Sequence, residues 1–118
     1  MTRAAFLRRM LERYGSDTVV TVLGESPVTV RAMIQAMNYR NKVYPDDAWM
    51  PEGYFDNSHF FYIGPPDCRL DRMSGAVLRC AEREYKVIRA QGFLAGNRIL
   101  YVWAVLRELP KEETDGGI

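Results

Sequence analysis

The chain has 118 residues, 47% of them apolar and 26% charged. That is one domain's worth, enough for a single modest core, too short for two and too apolar for a disordered chain. Sixteen Lys and Arg against fifteen Asp and Glu leave a net charge of +1, which argues against a dedicated nucleic-acid coat, where a strong basic excess is expected. The apolar run from Ile99 to Leu106 is far shorter than the roughly 20 residues a membrane span needs. Arg3, Arg8 and Arg9 interrupt the apolar residues of the N-terminus, against a signal peptide.

Thr2 to Tyr14 predicts an amphipathic helix. Phe6, Leu7, Met10, Leu11 and Tyr14 recur at helical spacing and share a face. Arg8, Arg9, Glu12 and Arg13 fall opposite. Thr2 is placed to cap the helix, and Gly15 to end it in the left-handed conformation. Arg8, Arg9 and Arg13 form a candidate docking face for an acidic partner, although a run of charge on a helix is also what a solvated face looks like.

After Gly15 the period becomes two. Thr18–Leu23 and Val28–Gln35 predict an antiparallel hairpin around the turn Gly24-Glu25-Ser26-Pro27. Val28, Val30, Ala32 and Ile34 share its inner face, and Thr29, Arg31 and Gln35 its outer one.

Residues 38–58 have no clear period and read as a long loop. A long loop in a small domain points to function or to partial disorder. Its aromatics make Tyr39, Tyr44 and Trp49 candidate contact residues for another subunit. Alternatively Tyr54-Phe55-Asp56 begins the next strand and Trp49 covers an end of the barrel.

Ser58–Ile63, Ala76–Cys80, Glu84–Ala90 and Arg98–Leu109 predict four further strands. Gln91–Asn97 reads as a turn because of Gly92 and Gly96. The last strand is apolar on both faces, the mark of a strand covered on both sides. Cys80, in an alternating run, reads as a buried small hydrophobe, and Cys68 as a turn residue. No CxxC and no second pair of cysteines supports a zinc site. One possible bridge without a secretion signal favours reduced cysteines.

The expected fold is therefore mostly β: a small antiparallel β-barrel or sandwich of about six strands with an N-terminal amphipathic α-helix. Residues 1–109 form a single domain, with the helix over 2–14 and the barrel over 18–109. Residues 110–118 form a polar tail with nothing to bury.

No catalytic set emerges. His59 stands alone, with Asp56 the nearest acid before it and no nucleophile elbow. Gly64-Pro65-Pro66 lacks the N–H donors of a phosphate cradle. No catalytic, cofactor-binding or metal-binding residues are assigned. Phe60, Phe61 and Tyr62 with Arg79, Lys86 and Arg89 offer one alternative, an OB-like barrel that stacks single-stranded nucleic acid.

The second half has a recognisable layout. Phe61-Tyr62-Ile63-Gly64-Pro65-Pro66 is followed by the Leu70–Gly75 turn, the Glu84–Ala90 strand and Tyr101-Val102-Trp103-Ala104-Val105-Leu106-Arg107. This order resembles small prophage proteins of Gram-positive bacteria encoded in the morphogenesis region, and is similar to the head-closure, or head–tail joining, proteins of tailed phages. The resemblance implies a non-catalytic barrel without cofactors that assembles as a ring between portal vertex and tail. It implies portal, connector or tail proteins and further copies of the chain as partners, with no membrane and no specific nucleic acid. The location it implies is the bacterial cytoplasm during assembly and then the virion. In that family a long loop and a terminal segment make the ring and neighbour contacts. A tail terminator or a baseplate part shares the layout.

Overall fold

The structure is a computed structural model and describes residues 2–37 and 59–110. Helix α1 (Arg3–Tyr14) precedes six strands: β1 (Ser16–Thr21), β2 (Val28–Ala36), β3 (His59–Gly64), β4 (Val77–Cys80), β5 (Arg83–Ala95) and β6 (Arg98–Glu108). They close into an antiparallel barrel in the order β1-β2-β3-β6-β5-β4. Closure gives every strand a neighbour on each side, though β4 pairs with β5 only over the first four residues of β5, Arg83 to Lys86. The expected barrel with its N-terminal helix is the observed fold.

The period-two pattern works as the sequence implied. Ala32, Tyr62, Leu78, Val102, Ala104 and Leu106 are fully buried inside the barrel, beside Val20, Phe60 and Tyr85. Phe60 and Tyr85 meet edge to face at 5.1 Å, an arrangement that suits the ring quadrupoles.

The two ends of the barrel differ. The β1–β2 turn, the β5–β6 hairpin and the β3–β4 connection lie at one end, which we call the upper end. β3 and β4 are not neighbours, so residues 65–76 must cross that end. They fill it with Cys68, Leu70 and Ala76, all buried, around a 3-10 turn at Leu70–Arg72. This connection plugs the barrel.

Helix α1 does a different job. β3 stops at Gly64, paired with Val102, while β2 and β6 continue past it. The helix packs on β2 and β6 and covers the gap between them. Thr2 caps it as expected, its hydroxyl accepting from the Ala5 N–H at 3.0 Å. Arg31 of β2 fastens the other end by donating to the Glu12 carbonyl at 2.8 Å and to Asp17 at 3.2 Å. Only Leu11 of the apolar stripe is fully buried; Phe6 and Tyr14 lie on the surface.

Four local expectations need correction. Gly15 is extended, φ −85° and ψ 179°, rather than left-handed. Glycine is needed there for space, since a Cβ would stand 2.5 Å from the Leu11 carbonyl and 3.0 Å from that of Ala32. The first strand starts and ends two residues early, because Val22 already enters the turn by accepting from the Glu25 N–H. Gln91–Asn97 is not a turn, for β5 runs on to Ala95 and Gly92 pairs with Val102 inside the ladder. A side chain on Gly92 would collide with Ile99. Finally Cys80 lies in β4 but is only half-buried, whereas Cys68 closes a turn from Pro65 as expected and is the buried one; both are free thiols.

Candidate interaction surfaces

The outer wall of β3, β6 and β5 departs most from expectation. β6 is not covered on both sides. Its inner residues Val102, Ala104 and Leu106 are fully buried, while Tyr101, Trp103 and Val105 are only half-buried on the outside. Register places cross-strand rows on this wall. Tyr101 pairs with Phe93; Ile63 with Trp103 and then Gln91; Phe61 with Val105 and then Arg89; His59 with Arg107 and then Lys86. Phe61 and Trp103 stack at 6.1 Å, and Phe93 and Tyr101 at 4.9 Å. The wall therefore passes from aromatic rings near the upper end to cations near the lower one.

A β-bulge makes this possible. Lys86 and Arg89 are three residues apart, so regular alternation would put them on opposite faces. The register shift between Val87 and Arg89 inserts Ile88 and returns Arg89 to the outside. Among the described residues no carboxylate pairs with Lys86, Arg89 or Arg107. The nearest acid on β5, Glu84, lies opposite Arg79.

A second surface lies at the upper end. Leu23 in the β1–β2 turn is 95% exposed, and Leu94 near the end of the β5–β6 hairpin is 59% exposed. Beside the helix runs a groove of about 500 Å³ lined by Thr2, Arg3, Phe6, Leu7, Leu100 and Tyr101.

The predicted contact residues separate. Arg8, Arg9 and Arg13 are all exposed on α1, Arg8 beside a groove against β2 and Arg13 over the Tyr14 ring at 5.8 Å. Tyr39, Tyr44 and Trp49 lie outside the described residues, as do Asp56 and the Tyr54–Asp56 segment. Of the three aromatics chosen for a stacking face, Phe60 and Tyr62 point into the core, and only Phe61 is on the outer wall. The sequence reading missed Trp103, Tyr101 and Phe93 as its companions.

Three polar features sit in the barrel interior or its plug. The Tyr62 hydroxyl is buried without a hydrogen-bond partner among the described residues, and burial pushes its pKa up. Burial, with Asp67 nearby, likewise raises the Cys68 thiol, the opposite of what a nucleophilic thiolate needs. In the plug, Arg69 grips Asp71 through two bonds of 2.9 and 2.6 Å and holds that carboxyl below its usual range. Among the described residues no three His, Cys, Asp or Glu side chains converge as metal ligands, and no helix is long and apolar enough to cross a membrane.

No family model, curated protein or solved structure matches the chain. The fold class is a closed six-stranded antiparallel barrel with a helix filling a gap in its wall.

Proposed function

We propose that the chain is a structural virion-assembly protein that joins head and tail of a phage or prophage through contacts with further copies and with neighbouring portal or tail proteins. The observation that carries this reading is the upper end of the barrel. Leu23 in the β1–β2 turn and Leu94 near the end of β5 hold large apolar side chains in water. Phe6 on the adjacent helix, 56% exposed, adds a third. Apolar surface gathered at one end of a small protein marks a place where another protein sits.

The test is genetic and structural. Removing the gene should leave filled heads and complete tails that do not join. Leu23→Asp with Leu94→Asp should reproduce that defect while the purified chain still folds. Normal virions without the gene, or gene neighbours that all encode metabolic enzymes, would overturn the reading.

A further inference from the structure

We propose that the outer wall of β3, β6 and β5 binds an unpaired polynucleotide strand, its bases stacking on the aromatic rings and its phosphates meeting the cations. The inference stands apart from the head–tail reading and uses a different face. Two features point to this ligand rather than to another protein. The first is charge. The chain is close to neutral as a whole, yet the outward side chains of this wall include Lys86, Arg89 and Arg107 and no carboxylate in the rows they share with Phe61, Val105 and His59. A protein partner of mixed charge gains little from such one-sided lining, whereas a polyanion gains at each phosphate.

The second feature is the order of groups. Phe93 and Tyr101 form one stacked pair, Phe61 and Trp103 another. Tyr101, Trp103, Val105 and Arg107 alternate along one face of β6, about 6.8 Å apart by strand geometry. Rings and cations thus share a single track, with Arg89 and Lys86 alongside on β5. Phe93 is 43% exposed, and Lys86, Arg89, Gln91 and Arg107 are exposed. Aromatic platforms beside a basic track are what sequence-tolerant strand binding uses, because every base offers a ring face. The edges of paired bases in a duplex would leave the rings unused.

The experiment titrates the full chain with a labelled oligothymidylate of about 15 nucleotides. A Trp49→Phe background leaves Trp103 as the reporting indole. The strand should quench Trp103 emission and bind with affinity that falls with salt, at a log–log slope of about −2 for three phosphate contacts. Arg89→Glu with Arg107→Glu should lower affinity by more than tenfold. Phe93→Leu keeps an apolar side chain but removes a ring, and should lower it about tenfold. Circular dichroism would check that each variant keeps its strands. No binding at low salt, or binding indifferent to these substitutions, overturns the proposal. So does equal affinity for a duplex without quenching, which would reduce the wall to a charge effect, or self-association that Phe93→Leu abolishes without any strand binding. Because no virion component is present, the outcome leaves the head–tail reading untouched.

Discussion

The hydroxyl of Tyr62 occupies the space that a side chain on Gly64 would need. Both residues belong to the inner face of β3, two positions apart. The tyrosine is fully buried and its hydroxyl unpartnered among the described residues, so the barrel accommodates a large polar ring only because its neighbour has no Cβ. Gly64→Ala should therefore cost at least about 2 kcal/mol, as overpacking of a closed core does. Tyr62→Phe should gain about 1 kcal/mol, since an unpaired buried hydroxyl costs free energy without returning a hydrogen bond. The double variant should recover only part of the Gly64→Ala loss, because the phenyl ring still places Cζ and Cε1 2.5 and 2.9 Å from the added Cβ. Urea denaturation of the four proteins gives the coupling directly. A destabilising Tyr62→Phe would show that the hydroxyl has a use, and additive effects would show that the ring alone makes the clash.

Gly15 gives a second test, separating close approach from left-handed conformation. Were the position left-handed, asparagine would be the best tolerated replacement. Its extended backbone and its contact with the Leu11 and Ala32 carbonyls predict otherwise. Gly15→Ala and Gly15→Asn should each cost about 1–3 kcal/mol, asparagine no less than alanine. Thermal unfolding of both variants decides it.

The sequence made the fold legible where burial is two-sided and regular. The helical spacing of Leu7, Met10 and Leu11, and the alternation of Val102, Ala104 and Leu106, reflect which side chains leave water, and local order follows. Closure of the barrel was not legible, because it depends on pairings such as β1 with β4 between distant segments. The outer wall was hidden for a related reason. A strand apolar on both faces looks the same whether its second face is covered by another layer or carries aromatic rings half in water. The bulge at Ile88 decides which cations stand beside those rings, and a bulge is a property of the pairing. Gly92 misled because glycine marks turns more often than close packing inside a ladder. The exposed leucines of the upper end carried no signal at all, since a single apolar residue in a turn or at a strand end is unremarkable until the two are seen together.

The β4–β5 turn stores strain that can be relieved. Ala81 and Glu82 both have positive φ, 54° and 70°, in a two-residue hairpin where asparagine and glycine are preferred. Ala81→Asn with Glu82→Gly should stabilise the protein by about 1–2 kcal/mol, the usual cost of holding L-residues in that region. The gain should appear in the urea midpoint and leave strand binding unchanged, because the turn lies off the aromatic track. No gain would mean that other contacts hold the two residues in place.

The Arg69–Asp71 pair predicts how the plug responds to acid. The guanidinium bonds hold the folded Asp71 carboxyl below its usual range, while the unfolded chain titrates near about 3.9. The unfolded state therefore binds more protons in the interval between the two values, and stability rises with pH there. The contribution of the pair is complete above the unfolded value and is lost as pH falls through the folded one. Asp71→Asn keeps the shape but cannot take up the charge. Urea midpoints at pH 7 should favour the natural chain, and the difference should shrink steadily below about pH 4 as protonated Asp71 comes to resemble asparagine. The pair is partly open to solvent, so the slope should be shallow. A difference that stayed constant into strong acid would mean that the plug owes nothing to this charge.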